Sequence, residues 1–256
     1  MSILIVIPAR LGSTRLPQKP LRLLGGQPLI VRVWQRVSAM RIADRVVIAT
    51  DSEAVAAAAN VAGAEVVMTR ADHRSGTDRV AEVAGRPDFA GYDVIVNVQG
   101  DEPYVSAESV RGAARIVERR QFPLATAACR ATPDILLNPA IVKVVTDVQG
   151  RALYFSRAPI PFLREASNGA QRNALLLQHI GVYAYTRDGL DRWVSLPPHP
   201  LEIVEHLEQL RPIAEGFAMG VATVAPANAA GIDTEEDLAS ANARWSEEKP
   251  SAAGAH

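Results

Sequence analysis

The sequence predicts an α/β fold, a mixed and mainly parallel sheet flanked by helices, and two observations carry that prediction. Over the first half of the chain, short β-branched apolar runs alternate with segments of helical period. That β-α-β rhythm at short spacing demands parallel strands covered by helices on both faces. Past the middle, strand-like runs follow one another without a long helix between them, which adds a partly antiparallel portion.

In chain order, "ILIVI" (3–7), "RVVIAT" (45–50), "EVVMT" (65–69) and "DVIVNV" (93–98) read as buried strands. Between and after them, "PLIVRVWQRVSAM", "SEAVAAAANVAG", "TDRVAEVAG" and "VSAESVRGAARIVERR" read as helices. "LATAACRA", "AIVKVVTD", "ALYFSRA" and "HIGVYAYT" are then strand-like. "PLEIVEHLEQLR" predicts one helix, "GVATVA" a last strand and "DTEEDLASANARW" a capped C-terminal helix. No internal repeat or long linker splits the chain, so residues 1–246 are expected to form a single domain and 247–256 a disordered tail.

The 256 residues suffice for a sizeable core, and 27 basic side chains nearly balance 28 acidic ones. That balance argues against a nucleic-acid surface. The lone Cys129 permits no intramolecular disulfide, and its apolar surroundings suit a buried core thiol. Ile3–Ile7 is too short for a signal sequence and lacks a cationic lead. No apolar run approaches the roughly 20 residues of a membrane span. A soluble cytoplasmic protein, with neither nucleic acid nor membrane as partner, is expected.

Ligands of such sheets bind at the carboxyl ends of the parallel strands. There the first strand empties into "PARLGSTRLPQKPL". The loop has neither the dinucleotide glycine fingerprint nor a P-loop pattern, which disfavours a dehydrogenase or a P-loop ATPase. It does present Arg10, Arg15 and Lys19 at spacings of five and four, with Gly12, Ser13 and Thr14 adding backbone and hydroxyl donors. A loop can wrap those charges around one polyanion, whereas the bland alternative is a solvated basic surface. Strand four ends in "NVQGDEP", placing Asp101 at the same edge. Facing phosphates, a carboxylate there calls for a divalent cation such as magnesium, which takes few protein oxygens. In "GIDTEEDL", Asp233 or Thr234 reads on its own terms as a helix cap, with Glu235, Glu236 and Asp237 complementing the helix dipole.

Taken in order, "IPARLGSTRLPQKPL", "ATD", "DHRSGTDR", "VNVQGDEP", "FSRAPIPF", "QHIGVYAY", "PLEIVEHLEQLR" and "GIDTEEDL" closely resemble the 3-deoxy-manno-octulosonate cytidylyltransferases, or CMP-Kdo synthetases. The resemblance runs from about Ile3 to Trp245. Gln18 stands where that family commonly has glycine, and Phe162 where it commonly has tryptophan. The opening loop differs from that of the CMP-sialate synthetases.

The resemblance implies a Rossmann-like nucleotidyltransferase whose antiparallel portion serves dimerisation, a magnesium-dependent homodimer. Such an enzyme transfers CMP from CTP to the acid sugar Kdo, releasing pyrophosphate, and its product feeds lipopolysaccharide synthesis. The resemblance also implies that Arg10, Arg15 and Lys19 bind phosphate and that Asp101 and Asp233 hold the metal, so that Asp233 is more than a cap. By the same match Ser75, Gly76 and Arg79 contact the nucleotide, and Gln99, Arg157, His179, Tyr183, Glu208 and Gln209 contact the sugar. His179 and Tyr183 lie four apart on a strand-like run and share a side. Alone, each reads as a half-buried structural residue, and Glu208 and Gln209 as the solvated face of a helix. A CMP-sialate synthetase, an amino-Kdo enzyme or a non-catalytic nucleotide-binding protein on the same fold are the competing readings.

Overall fold

The computed structural model describes residues 1–12, 15–226 and 231–247; Ser13, Thr14 and the expected tail beyond Glu247 lie outside them. Strand β1 (Ile3–Ala9) is buried along its whole length and lies in the interior of the sheet. It pairs in parallel with β4 (Arg45–Thr50) on one side and β6 (Val94–Val98) on the other, with Val6 opposite Val47 and Asn97. β5 (Glu65–Met68) extends the parallel set beyond β4.

Alternation along β1 sends Ile3, Ile5 and Ile7 to one face and Leu4 and Val6 to the other. The first face is covered by α1 (Leu29–Ala39), α2 (Glu53–Val61) and α4 (Ala107–Glu118). α9 (Glu235–Glu247) adds Leu238 and Ala241 to the same core. The second face receives α3 (Gly76–Ala84) through Val80 and Val83, and α6 (Arg187–Ser195) through Leu190 and Trp193. A strand buried on both faces has no polar side to alternate with, which is why these runs are continuously apolar.

The mixed portion is more parallel than its sequence rhythm suggests. β7 (Leu124–Arg130) and β11 (Met219–Val224) pair in parallel with each other. β10 (Leu177–Thr186) is inserted between β7 and β6 and runs antiparallel to both. β8 (Lys143–Thr146) and β9 (Ala152–Ser156) form a hairpin that joins β10 antiparallel. Since Val182 stands opposite Val98, the first half of β10 runs past the carboxyl end of β6, carrying His179 towards the ligand edge.

One predicted helix is broken. "PLEIVEHLEQLR" forms α7 (Pro200–Glu205) and α8 (Leu210–Ala214), because His206 takes a left-handed conformation at φ 52°. The Arg211 guanidinium spans the break and grips Glu202 with two hydrogen bonds of 2.8 and 2.5 Å. Glu208 and Gln209 therefore leave the solvated helix face expected of them and turn inward, with Gln209 buried. A short hairpin of β2 (Leu23–Leu24) and β3 (Gln27–Pro28), and the six-residue helix α5 (Gly169–Ala174), complete the strands and α-helices among the described residues.

Candidate active site

The loop after β1 is pinned by its apolar members. Leu16 and Pro20 are buried, and a 3-10 turn at Lys19–Leu21 follows Gln18, which adopts φ 53°. Glycine tolerates that conformation without a Cβ penalty, and glutamine does not. The pinned loop leaves Arg10 and Arg15 exposed but tucks the Lys19 side chain inward, 13% exposed. Its ammonium donates to Asp233 Oδ1 at 2.7 Å and to Asp101 Oδ2, while Arg15 Nη2 meets Asp233 Oδ2 at 2.9 Å. Burial pulls the Lys19 pKa down, but the two aspartates outweigh it and hold it above the usual lysine value. Burial raises Asp233, and Lys19 and Arg15 more than reverse this, leaving it below the usual carboxylate range.

Two close backbone approaches bring these residues together. A Cβ at Gly100 would lie 2.8 Å from the Pro8 carbonyl, so the turn that presents Asp101 packs flat against β1. The Ile232 N–H donates to the Asp101 carbonyl at 2.9 Å. A Cβ at Gly231 would fall 2.9 Å from Glu102 Oε1. The Glu102 side chain can yield to such a Cβ, but the Pro8 backbone cannot yield to one at Gly100, so Gly100→Ala is expected to push the turn that carries Asp101 off β1. Turnover should fall by up to about 100-fold, the scale of a small misplacement at a reacting centre. Unchanged pyrophosphate release from that variant would refute the packing argument.

The C-terminal helix is capped by Thr234, not by Asp233. The Asp237 N–H donates to Thr234 Oγ1 at 3.1 Å, and Asp237 Oδ2 accepts from the N–H groups of Thr234 and Asp233 at 2.9 and 3.0 Å. That reciprocal cap frees the Asp233 carboxylate to face Lys19. Glu235 serves neither end of the cap and instead pairs with Arg22, one bond measuring 2.7 Å.

A cavity of about 340 Å³ opens between these groups and the start of α3. Arg10, Gly12, Arg15, Lys19, Ser75, Gly76, Arg79, Gln99, Asp101 and Asp233 line it, so nearly all the phosphate, nucleotide and metal residues expected from sequence converge. Ser75 caps α3 in a capping box with Asp78, which orients Gly76 towards the cavity. The Arg79 guanidinium is buried and meets Asp51 Oδ1 at 3.3 Å; burial lowers its pKa.

Some residues of this wall carry no sequence signal strong enough to single them out. His73 lines the cavity and donates through Nε2 to Glu82 at 2.5 Å. Glu102 lies beside Asp101, where burial, aided by the Asp101 charge, pushes its carboxyl up to about 8. A neutral acid in the turn "GDEP" is invisible to a pattern that reads both carboxylates as charged.

The sugar residues expected from sequence divide into groups. Gln99 lines the cavity, and its Oε1 lies 3.7 Å from where a Gly76 Cβ would stand. Glu208 accepts from Thr77 Oγ1 at 2.9 Å, just behind the cavity wall, and burial raises its pKa. Gln209 Nε2 is buried without a hydrogen-bond partner among the described residues. His179 and Tyr183 do share a side, their rings 5.5 Å apart, because the irregularity between Ile180 and Tyr183 inserts an even number of residues. Tyr183 packs edge-on against Trp193 and is buried, which drives its pKa up.

Of the six sugar residues, only Gln99 lines the cavity; His179, Tyr183, Glu208 and Gln209 lie off it, and so does Arg157. The Arg157 guanidinium donates to the carbonyls of Glu205 (2.9 Å), Pro139 (2.9 Å) and His206 (3.4 Å). A fork spent on backbone is not open to a sugar carboxylate, so a direct grip does not match this geometry.

Thr126 donates to the Val182 carbonyl at 2.7 Å and so accepts from His179 Nε2 at 2.9 Å. Burial brings the His179 pKa down to about 3. In the unfolded chain it would titrate near 6.5, so the unfolded state binds the extra proton between these values and stability falls as pH drops from about 6.5 towards 3. One such group contributes a slope of up to about 1.4 kcal/mol per pH unit. Urea unfolding of His179→Gln between pH 7.5 and 4.5 should show a shallower acid slope than the parent. Parallel slopes would mean that His179 is protonated in the fold.

The profile of the family described as Cytidylyltransferase matches residues 4–219. The 3-deoxy-manno-octulosonate cytidylyltransferase of Gemmatimonas aurantiaca is 59% identical over 245 residues, which cover 96% of this chain and 95% of that protein. This chain belongs to the 3-deoxy-manno-octulosonate cytidylyltransferase family. The solved structure of a CMP:2-keto-3-deoxy-manno-octonic acid synthetase in complex with CTP superposes with a TM-score of 0.88 at 37% identity, covering 97% of this chain and all of that one. The 4-diphosphocytidyl-2C-methyl-D-erythritol synthase of Anaerococcus prevotii shares the fold, at TM-score 0.62 and 14% identity over 96% of this chain and 98% of its own. Gln18, where the resemblance leads to an expectation of glycine, is a glutamine held in the conformation glycine favours.

The donor set suits magnesium. Asp101 and Asp233 come close enough to share one ammonium, so both can face one cation. No cluster of three or more potential metal-ligating side chains occurs among the described residues. A pair of carboxylates suits an ion that keeps water and substrate oxygens in its shell.

Proposed function

We propose that this chain transfers CMP from CTP to the anomeric hydroxyl of 3-deoxy-D-manno-octulosonate (Kdo), giving CMP-Kdo and pyrophosphate with Mg²⁺ as cofactor. The observation that carries the reading is the convergence of Arg10, Arg15 and Lys19 with Asp101 and Asp233 on one cavity. The sugar hydroxyl oxygen forms the new bond to the α-phosphorus, the bond to the β-phosphate oxygen breaks, and the hydroxyl proton leaves to solvent. No protein nucleophile is needed, so the work is positioning and charge stabilisation.

Arg10, Arg15 and Lys19 neutralise the triphosphate and the departing pyrophosphate. Ser75, Gly76 and the buried Arg79 hold the nucleotide against the start of α3. Gln99 presents its amide to the sugar hydroxyls from the cavity wall, and Glu208, Gln209 and His179 back that side of the site with carboxyl, amide and imidazole groups. Asp101 and Asp233 would hold the magnesium, which when bound lowers the pKa of the attacking hydroxyl and offsets phosphate charge.

The homodimer belongs to the same reading. Leu137, Phe162, Ile203 and Val204 are exposed, and they flank the segments that Arg157 ties together at Pro139, Glu205 and His206. An exposed apolar group of this kind suits a partner surface. No helix among the described residues is long and apolar enough to cross a membrane.

Pyrophosphate release tests the proposal. It should require CTP, Kdo and a divalent cation together, and fall to background in excess chelator. Equal turnover with UTP would overturn the nucleotide assignment, and equal turnover with sialic acid the sugar assignment.

A further inference from the structure

We infer that the Lys19 ammonium and a divalent cation compete for one seat between Asp101 and Asp233, so that metal and nucleotide bind this chain cooperatively. The inference rests on the metal and phosphate roles proposed above.

The seat is defined by three contacts. Lys19 Nζ reaches Asp101 Oδ2 and, at 2.7 Å, Asp233 Oδ1, and Arg15 covers the remaining Asp233 oxygen at 2.9 Å. The two aspartates, far apart in the sequence, are held together by the Ile232 to Asp101 backbone bond. Their charge is thus already answered by the protein's own cations. A metal ion arriving alone must displace a partly buried ammonium and leave it without a counter-charge, which is costly.

A triphosphate arriving alone meets the converse obstacle. The cations that should hold it are held by carboxylates. Arriving together, the two ligands exchange partners. The metal takes the aspartates, and Lys19 and Arg15 pass to the phosphates. Lysine suits such a transfer, because its point charge sits on a flexible stem. The stem's base need not move, since Leu16 and Pro20 anchor the loop on either side. Coupling of this kind is reciprocal: nucleotide tightens metal by the same factor as metal tightens nucleotide.

Mn²⁺ binding followed by paramagnetic resonance of the free ion, with and without CTP, tests this on the full-length chain. Without nucleotide, Lys19→Met is expected to bind Mn²⁺ at least about tenfold more tightly than the parent, within the usual range of coupling factors. Added CTP should then improve Mn²⁺ affinity far less than it does in the parent. Lys19→Arg, which keeps a cation in the seat, should behave like the parent, and Lys19→Gln substitutes if the methionine variant fails to fold. Mn²⁺ affinity that depends on Asp101 and Asp233 but is unchanged or weaker in Lys19→Met and Lys19→Gln would overturn the competition alone. Mn²⁺ binding that survives Asp101→Asn with Asp233→Asn would overturn the metal assignment beneath it.

Discussion

Asp101→Asn and Asp233→Asn are each expected to lower pyrophosphate release from CTP and Kdo by on the order of 100- to 1000-fold, the scale of losing one preorganised electrostatic contact to a transition state. The double variant should be little worse than either single one. Both carboxylates face a single ammonium, and residues that hold one ion fail together, since removing either already disrupts it. Asparagine keeps size and shape, and the Thr234–Asp237 cap holds α9 without help from the Asp233 carboxylate, so the fold should persist. Activity measured beside the thermal midpoint decides the matter. Losses that multiply in the double variant would show that the aspartates act separately, and a loss that tracks unfolding would show that they act on structure.

The parallel core was legible because its physics is local. A strand covered on both faces must be apolar at every position, and β1 is. The phosphate loop was legible for a related reason: basic side chains at a strand's carboxyl end have one obvious place to converge. The competition between cap and ligand at Asp233 could not be settled by pattern, since Asp and Thr both cap well. It took the Thr234–Asp237 geometry to assign the cap to one and release the other.

The sugar side was less legible because its geometry depends on long-range constraints. The break at His206 has no glycine or proline to announce it, and only the Glu202–Arg211 pair across the turn shows why the chain bends. Likewise the acid set of β10 and its neighbours depends on what is dry. Burial makes His179 a poor base and pushes Glu102 up to about 8, and burial is a property of the fold rather than of a motif.

Arg157→Lys is expected to lose thermal stability and to raise the Kdo requirement, while CTP binding without sugar stays near that of the parent. The guanidinium bonds to the carbonyls of Pro139, Glu205 and His206, and the Arg157 N–H donates to Glu205 Oε2 at 3.0 Å. It thereby fastens the end of β9 to the corner where α7 breaks. Glu208 and Gln209 follow that corner directly. A single ammonium cannot reproduce a planar fork that reaches three carbonyls in different directions. With about 1 kcal/mol net for each hydrogen bond, losing two of the three costs about 2 kcal/mol. The effect on Kdo would then arise through the displaced corner rather than through a lost carboxylate contact. The two routes differ in one measurement. If Arg157 acts through the corner, Arg157→Lys should weaken Kdo handling and lower the urea midpoint together, and conditions that restore stability should restore part of the Kdo affinity. If the parent's urea midpoint is retained while Kdo affinity collapses, the guanidinium leaves its carbonyls for the sugar carboxylate, and the corner account fails.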